Sequence, residues 1–292
     1  MKNVIVFGAG STGRTLVAEM VVGGGGDINI DSLFFVDNDE RKWGKDLQIT
    51  IGNETLHFPI KSPKEILKTE FDEIILATMV GYEDNLKQLE DYKIPKHKIE
   101  HIHLWKKLIP RIQFLESFAK ECKIKNLDGN VAELGVFQGE FAKKINEFFP
   151  NRTLYLFDTF EGFDERDLKS ETNDVKENGI GHLNDTSIEI VMNKMLYPKN
   201  VVIKKGWFPE SAAGLDNEKF CFVNLDPDLY EPILAGLQFF YPKMVKGGVI
   251  LIHDYFNKGY PGVRQAVSEF CEKYNLNSFP IGDDISIAIQ KA

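Results

Sequence analysis

The sequence predicts an α/β protein built from two doubly wound, Rossmann-like units. Short apolar runs alternate with helix-length amphipathic stretches in two successive series, which is typical of parallel strands joined by helical crossovers. Each series also opens on a glycine-containing turn between its first strand and its first helix. The 292 residues exceed one average domain, so we expect one unit over residues 1–105 and a second over residues 106–292.

The first unit is predicted from three buried strands. They cover residues 3–8, 33–37 and 73–77, and residues 14–22 have the spacing of an amphipathic helix. Because strand and helix segments alternate at short intervals, parallel pairing is expected. This unit should therefore be a small parallel sheet with helical crossovers.

The second unit shows a more regular alternation. Five apolar runs separated by helical stretches are predicted strands, over residues 131–136, 153–158, 201–205, 220–226 and 248–254. After a further helical stretch, two short runs around a Gly-Asp-Asp turn predict a closing antiparallel hairpin. The expected fold is a doubly wound sheet that ends in a hairpin, and a fold alone does not settle function.

The composition excludes several classes of partner. Lys and Arg number 35 and Asp and Glu 44, which gives a net charge of −9 and argues against binding to nucleic acid or to an anionic membrane. The start of the chain has no signal-peptide pattern and no apolar run is long enough to span a bilayer. The three cysteines form no C-x-x-C pair and are expected to be reduced core thiols. We expect a cytoplasmic protein that acts on a small molecule.

A candidate cofactor site follows the first strand of the second unit. Gly135 and Gly139 lie at a strand-to-helix turn, where a ligand can approach the backbone and the helix offers free N–H groups. A G-x-x-x-G turn alone could equally be a tight packing turn. Asp158 ends the next strand, where an acid can accept hydrogen bonds from ribose hydroxyls. Trp207 follows the third strand and is expected either to stack on an adenine or to pack in the core.

Candidate catalytic residues end the fourth and fifth strands. Asp226 ends one, and His253 and Asp254 end the other; the carboxyl ends of adjacent parallel strands converge. Two carboxylates and an imidazole can bind one divalent cation, which would lower the pKa of a substrate hydroxyl while a carboxylate takes the proton. Asp226 is the preferred general base. In the alternative, His253 is a buried, hydrogen-bonded histidine without a metal and acts as the base itself.

Six ordered sequence blocks resemble the macrocin-type (TylF-like) sugar O-methyltransferase family. They span residues 131–270 and read AELGVFQGEFA, FDTFEGF, KGWFPES, NLDPDLYEP, YPKMVKGGVILIHDY and GVRQAVSEF. The resemblance implies a class I S-adenosylmethionine methyltransferase fold that uses S-adenosyl-L-methionine and a divalent metal, Mg²⁺ first. The implied acceptor is a sugar hydroxyl of a nucleotide-sugar, a glycan or a glycosylated metabolite.

The same resemblance assigns individual residues. It implies cofactor contacts at Glu133, Gly135, Gly139 and Asp158, and metal ligation at Asp226 and Asp254. Family members usually show two adjacent acids where this chain has His253 and Asp254. That departure leaves the identity of the metal, and the need for one, open.

The first unit carries a second glycine motif. Gly8, Gly10 and Gly13 form G-x-G-x-x-G after a strand, and Asp37 ends the next strand, which together resemble a dinucleotide-binding turn. An NAD-dependent nucleotide-sugar oxidoreductase or epimerase is therefore the rival interpretation, although the unit has no Tyr-x-x-x-Lys pair.

Runs in the first unit also resemble the small nucleotide-binding domain of sugar acyltransferases and nucleotide-sugar dehydratases. They are FFVDNDERKWG, FPIKSPKEI and FDEIILATM. The resemblance implies that the unit binds the nucleotide part of a substrate. A non-catalytic nucleotide-binding role, or a role in forming a homo-oligomer, remains open.

The polar, glycine-punctuated segment 161–185 is too long for an ordinary turn. Loops of this length in compact domains are usually lids or disordered. We expect either a lid that closes over the substrate or a solvated insertion.

Overall fold

The computed structural model describes residues 1–22, 28–52, 54–78, 81–177 and 179–292. These residues form two compact units, Met1–Leu108 and Ile109–Ala292. The division falls close to the boundary expected after residue 105. In the parts of the chain that are described, every helix is too short or too polar to cross a membrane.

The first unit is built on a six-stranded sheet with the strand order β3-β4-β2-β1-β5-β6. Its strands are β1 (Val4–Phe7), β2 (Phe34–Val36), β3 (Asp46–Ile51), β4 (Glu54–Lys61), β5 (Glu73–Leu76) and β6 (Ile99–Glu100). Its helices include α1 (Ser11–Val22) and α2 (Tyr82–Asp91). Strand β1 pairs in parallel with both β2 and β5, so the predicted parallel core is confirmed.

The hairpin of β3 and β4 was not expected from the sequence. The two strands pair antiparallel from Asp46 opposite Pro59 to Ile51 opposite Glu54. Strand β3 buries Leu47 and Ile49 and exposes the residues between them, which is the period-two pattern of a half-buried strand. The alternation was thus present in the sequence but short.

The second unit contains a seven-stranded sheet with the order β12-β13-β11-β10-β7-β8-β9. Its strands are β7 (Asn130–Leu134), β8 (Leu154–Asp158), β9 (Val201–Lys205), β10 (Phe220–Leu225), β11 (Met244–Ile252), β12 (Phe279–Pro280) and β13 (Ile287–Gln290). Strands β7 to β11 pair in parallel. Strand β13 runs antiparallel to both β11 and β12, so the predicted closing hairpin is confirmed.

Helices cover both faces of this second sheet. They are α3 (Ile102–Ile124), α4 (Glu140–Phe148), α5 (Glu165–Leu168), α6 (Asn173–Lys176), α7 (Ile188–Asn193), α8 (Tyr230–Phe240) and α9 (Pro261–Tyr274). Residues of α8 and α9 pack with one face of the sheet and residues of α3, α4 and α7 with the other. Because both faces are covered, β10 is buried along its whole length, as expected for a central parallel strand.

The register of the parallel strands brings their carboxyl ends to one edge of the sheet. Leu225 of β10 lies opposite Leu134 of β7 and opposite Ile252 of β11, and Leu134 lies opposite Phe157 of β8. The residues that follow these positions therefore meet at the edge where ligands bind in open α/β sheets.

Candidate active site

A cleft opens at this edge of the second sheet. Four of the residues singled out in the sequence line it, namely Gly135, Asp158, Trp207 and Asp226. Glu133 and Gly139, both within the described part of the chain, are outside the lining. The structure thus brings residues from the ends of β7, β8, β9 and β10 to one cavity.

Gly135 is required by close packing between two turns. It has φ of +82°, and a Cβ at this position would lie 2.3 Å from the carbonyl oxygen of Asp226. The side of Gly135 to which a Cβ would project is therefore occupied by the chain after β10, while Gly135 itself lines the cleft. At Gly139, whose φ is +81°, a Cβ would lie 3.1 Å from the side chain of Val191 in α7. Both glycines hold the turn tightly against its neighbours.

Asp158 fixes the shape of the same turn. Its Oδ2 accepts hydrogen bonds from the backbone N–H groups of Val136 at 2.7 Å and Phe137 at 2.9 Å. Its Oδ1 accepts from the N–H of Phe160 at 2.7 Å. A carboxylate has about four lone-pair positions, so these bonds leave room for about one further donor from a ligand.

Trp207 is anchored by two residues of segment 161–185. Its Nε1 donates to Asp167 Oδ1 at 2.9 Å, and the guanidinium of Arg166 lies 4.2 Å from its ring centroid. Burial raises the pKa of Asp167 to about 6. The sequence left two roles open for Trp207, stacking on a ligand or packing in the core. In the structure Trp207 lines the cleft, and its indole N–H is bound by Asp167.

Segment 161–185 is folded against the second unit in its described residues. It contains α5 and α6, and Phe163, Leu168 and Val175 form a buried cluster with Leu229. Glu171 Oε1 also accepts a 2.6 Å hydrogen bond from the N–H of the first residue of α8. These contacts argue against a purely solvated insertion, whereas closure over a substrate stays a prediction.

Asp226, His253 and Asp254 form one compact cluster at the end of β10 and β11. His253 Nδ1 lies 2.9 Å from Asp226 Oδ1 and 2.5 Å from Asp254 Oδ2. One potential ligand atom from each residue lies within 4.8 Å of the others. The convergence expected from the sequence is therefore present, and the three donor atoms could hold a single cation.

The remaining oxygen of each aspartate is held by a separate donor. Arg111 Nη2 donates to Asp226 Oδ2 at 2.9 Å, and Asn257 Nδ2 donates to Asp254 Oδ1 at 2.6 Å. Each carboxylate is therefore oriented with one oxygen toward His253. Outer partners of this kind fix the direction of potential ligand atoms.

A buried polar chain links this cluster to Glu133. Arg111 Nη2 also donates to Asn224 Oδ1 at 3.0 Å, and Asn224 Nδ2 donates to Glu133 Oε1 at 2.8 Å. Glu133 Oε2 and Arg111 Nε are buried without a hydrogen-bond partner among the described residues. Sequence analysis missed Arg111 and Asn224. The available signal was one asparagine in the otherwise apolar strand FCFVNL.

The charges of the cluster shift the pKa values of its members. Burial and Arg111 favour a neutral His253 ring, but Asp226 and Asp254 outweigh them and raise its pKa to about 9. Burial opposes ionisation of both aspartates, but the neighbouring imidazole holds the pKa of Asp226 and of Asp254 below the usual range. Burial and repulsion from Asp254 raise the pKa of Asp228 well above its ordinary value.

Burial and the nearby Asp226 carboxylate also raise the pKa of Glu133 well above its ordinary value. Both effects favour the protonated form of Glu133 over the ionised form. Glu133 lies outside the cleft lining and accepts a hydrogen bond from Asn224. It is therefore part of the buried hydrogen-bond network that leads to Arg111.

The glycine turn of the first unit is a packed structure with one open position. A Cβ at Gly13 would lie 2.1 Å from the carbonyl oxygen of Gly8, and one at Gly8 would lie 2.8 Å from the carbonyl oxygen of Ala77. A Cβ at Gly10 would meet nothing within 4 Å. Gly8 and Gly13 are therefore needed for internal packing, and the surface at Gly10 is accessible to a ligand.

Asp37 plays the same part in the first unit that Asp158 plays in the second. Its Oδ2 accepts from the N–H of Ala9 in the glycine turn at 2.8 Å and from Lys42 Nζ at 2.9 Å. Its Oδ1 accepts from the N–H of Asp39 at 2.9 Å. In both units, an acid at the end of the second strand accepts hydrogen bonds from backbone N–H groups of the glycine turn.

Comparisons with known proteins agree with this fold. Residues 108–286 match the family described as Macrocin-O-methyltransferase (TylF), and residues 1–100 match the family described as C2185-like, N-terminal. The chain is 26% identical over 181 residues to mycinamicin III 3''-O-methyltransferase of Micromonospora griseorubida, covering 57% of this chain and 70% of that protein. It is 22% identical over 179 residues to demethyldecarbamoylnovobiocin O-methyltransferase of Streptomyces niveus, covering 58% of this chain and 68% of the relative.

A solved structure shows the same architecture for the second unit. The structure of the O-methyltransferase NovP matches with a TM-score of 0.54 and 23% identity, covering 63% of this chain and 80% of that one. The strand order with its closing antiparallel hairpin is that of a class I methyltransferase, so the predicted fold class is confirmed. The chain belongs to the macrocin O-methyltransferase family, and it is an enzyme of the methyltransferase class. The predicted resemblance of the first unit to sugar acyltransferase and dehydratase domains is not confirmed, because that unit matches the C2185-like family.

Proposed function

We propose that the second unit transfers a methyl group from S-adenosyl-L-methionine to a hydroxyl group of a sugar-containing small molecule. The observation that carries this proposal is that Asp226 belongs both to the cleft lining and to the cluster with His253. Asp226 lines the cleft together with Gly135 and Trp207, and its carboxylate pairs with His253. A proton acceptor therefore lies next to the space proposed for the cofactor.

The cleft has the features that an adenosyl cofactor needs. Asp158 keeps lone-pair capacity for a ribose hydroxyl after binding three backbone N–H groups. Trp207 and Phe137 supply flat apolar surface in the same lining, suited to a base. S-adenosyl-L-methionine supplies an electrophilic methyl group when bound. The protein's part is to align the acceptor oxygen with that group and to exclude water.

The relatives support a sugar-containing acceptor. One acts, by its name, on mycinamicin III at a 3'' position and the other on demethyldecarbamoylnovobiocin. A nucleotide-sugar, a glycan or a glycosylated metabolite would fit a net charge of −9 better than a nucleic acid would. The acceptor is thus proposed to be a small molecule that carries a sugar.

Asp226 is the proposed general base. Its lowered pKa keeps it ionised at neutral pH, and without a cation the raised pKa of His253 keeps that ring protonated. A cation bound at His253 Nδ1 would take the place of the proton on that atom. An ionised carboxylate at the cleft can take the hydroxyl proton as the methyl group moves. His253 and Arg111 then stabilise the cluster by hydrogen bonding to the two oxygens of Asp226.

We further propose that Asp226, His253 and Asp254 hold a divalent cation. One donor atom from each residue lies close to the others. Arg111 binds Asp226 Oδ2 and Asn257 binds Asp254 Oδ1, which orients the two carboxylates. When bound, such a cation supplies a Lewis acid that lowers the pKa of a substrate hydroxyl.

The direct test is transfer of labelled methyl from S-adenosyl-L-methionine to a panel of acceptors. The panel contains mycinamicin III, demethyldecarbamoylnovobiocin and a set of nucleotide-sugars. Methyl transfer to at least one acceptor is expected, and Asp226→Asn should abolish it while the exposed Asp216→Asn control keeps it. Full activity of Asp226→Asn would remove the assignment of the base.

For the first unit, we propose binding of a nucleotide or nucleotide-sugar at the turn from Gly8 to Gly13. The supporting observation is the open surface at Gly10 where α1 begins, since helix N-termini favour phosphate groups. Because Asp37 is already bound by Ala9, Asp39 and Lys42, phosphate contacts should matter more than ribose contacts. Calorimetry of the full chain with NAD and with nucleotide-sugars separates this role from the oxidoreductase alternative. Absence of binding to all of them would remove the proposed nucleotide site.

A further inference from the structure

We propose that the cluster of Asp226, His253 and Asp254 selects a first-row transition-metal ion over Mg²⁺ and Ca²⁺, because it offers one nitrogen and two single oxygens. This inference rests on the proposed role of the cluster as a cation site. It concerns which cation the site takes, a question that the sequence left open.

The spacing of the donor atoms suits a small coordination sphere. His253 Nδ1 lies 2.9 Å from Asp226 Oδ1 and 2.5 Å from Asp254 Oδ2. Metal–ligand bonds of roughly 2.1 Å at right angles place neighbouring donors about 3 Å apart. The three atoms therefore need only a small outward shift to surround one ion.

The outer hydrogen bonds restrict each aspartate to one donor oxygen. Asp226 Oδ2 is bound to Arg111 and Asp254 Oδ1 to Asn257. Arg111 is itself held in place, since it is buried and its guanidinium lies 4.1 Å from the ring centroid of Phe141. Neither carboxylate can turn to bind an ion through both oxygens without breaking these bonds. Ca²⁺ takes about 6–8 oxygen ligands, and two single carboxylate oxygens supply only two of them.

The imidazole nitrogen of His253 disfavours the binding of Mg²⁺ relative to a transition-metal ion. Mg²⁺ is a hard ion that prefers oxygen ligands and keeps several waters, whereas imidazole suits first-row transition metals. His253 is mostly buried, with a side chain 13% exposed, and it contacts both aspartates through the same Nδ1 atom. An ion that binds the two oxygens therefore meets the imidazole nitrogen as well.

The test measures metal binding to the full chain without any acceptor. Mn²⁺ is titrated by electron paramagnetic resonance, Mg²⁺ competes for the site, and pulsed resonance detects coupling of bound Mn²⁺ to a nitrogen nucleus. The wild-type chain should bind Mn²⁺ at least about tenfold more tightly than Mg²⁺, with nitrogen coupling. His253→Asp should remove the coupling and bring the two affinities within about threefold.

Two further variants keep the result interpretable. His97→Asp removes an exposed imidazole of the first unit and should leave both Mn²⁺ affinity and nitrogen coupling unchanged. His253→Gln, which adds no charge, serves if His253→Asp loses its thermal unfolding transition, and it too should lose the coupling.

Equal or tighter binding of Mg²⁺, bound Mn²⁺ without nitrogen coupling, or no Mn²⁺ binding would each overturn the inference. Methyl transfer is measured separately in the same preparations. If the wild-type chain transfers methyl but shows no preference for Mn²⁺, the inference about the cation fails and the proposed function stands. If it binds Mn²⁺ selectively but transfers no methyl, the proposed function fails instead.

Discussion

Arg111 donates one Nη2 hydrogen bond to Asp226 at 2.9 Å, which places a buried positive charge from α3 against the proposed catalytic base. The side chain of Arg111 is 6% exposed and that of Asp226 is 19% exposed. Removing Asp226 leaves the buried Arg111 without a charged partner, whereas removing Arg111 leaves Asp226 with His253 as its remaining cationic partner.

The variant Arg111→Met should lower the free energy of unfolding by about 1–3 kcal/mol, because Asp226 keeps only His253 as a cationic partner and the buried Asn224 Oδ1 loses its donor. The double variant Arg111→Met with Asp226→Asn should be less destabilised than the sum of the single variants, by about 1–3 kcal/mol. Urea denaturation of the four chains measures this coupling. Arg264→Met, at an exposed position of α9, is the control and should stay near wild type. Additive effects of the two substitutions would show that the ion pair carries no net interaction.

Asp167 should make stability depend on pH in the acidic range. Burial raises its folded-state pKa from 3.8 to about 6, so the folded protein binds more protons than the unfolded chain between these values. Stability from this group is therefore lost as pH rises from about 4 to about 6. Asp167→Asn, which keeps an oxygen for Trp207 Nε1, should show a shallower fall of Tm over that interval. The same dependence of Tm on pH in the wild-type protein and in Asp167→Asn would contradict the raised pKa of Asp167.

Gly10 and Gly13 should respond in opposite ways to alanine. Gly13→Ala places a Cβ 2.1 Å from the backbone oxygen of Gly8, and overpacking of this kind costs about 1–3 kcal/mol. Gly10→Ala meets no atom within 4 Å and should change stability by less than about 0.5 kcal/mol. If the first unit binds a nucleotide at this turn, Gly10→Ala should still weaken that binding in calorimetry. Unchanged nucleotide affinity would move the site away from Gly10.

Segment 161–185 should become less accessible when the cleft is filled. Trypsin can cut after Lys169 in this segment, and Asp167 and Trp207 connect the segment to the cleft wall. S-adenosylhomocysteine should slow that cleavage, while cleavage after Lys45 in the first unit should proceed at an unchanged rate. Equal cleavage at Lys169 with and without the ligand would reject the proposed lid.

Much of the fold was predictable because local pattern and global topology agree. The continuous apolar runs of β7, β8 and β10 reflect burial on both faces, and the Gly-Asp-Asp turn before Ile287 marked the closing hairpin. Convergence of Asp226 with His253 and Asp254 followed from the rule that parallel strands end at one edge. The hairpin of β3 and β4 escaped because its alternation is short.

The residues that escaped prediction act through tertiary contacts. Arg111 lies more than a hundred positions from Asp226 along the chain, and an arginine on an amphipathic helix usually points to solvent. Its partner Asn224 differs from its neighbours in β10 only by being polar. For Gly135 and Asp158 the positions were identified, but the structure gives them packing partners within the protein that periodicity does not specify.

Calorimetric titration of S-adenosylhomocysteine into the full chain tests the central proposal most directly. The proposed cofactor cleft requires saturable binding at about one site per chain, retained by Asp226→Asn and lost when bulk is added at the cleft wall, as in Gly206→Trp, with the fold checked by thermal unfolding. Absence of binding to the folded wild-type chain, or full binding by the folded Gly206→Trp chain, would contradict the placement of the adenosyl cofactor between Asp158 and Trp207.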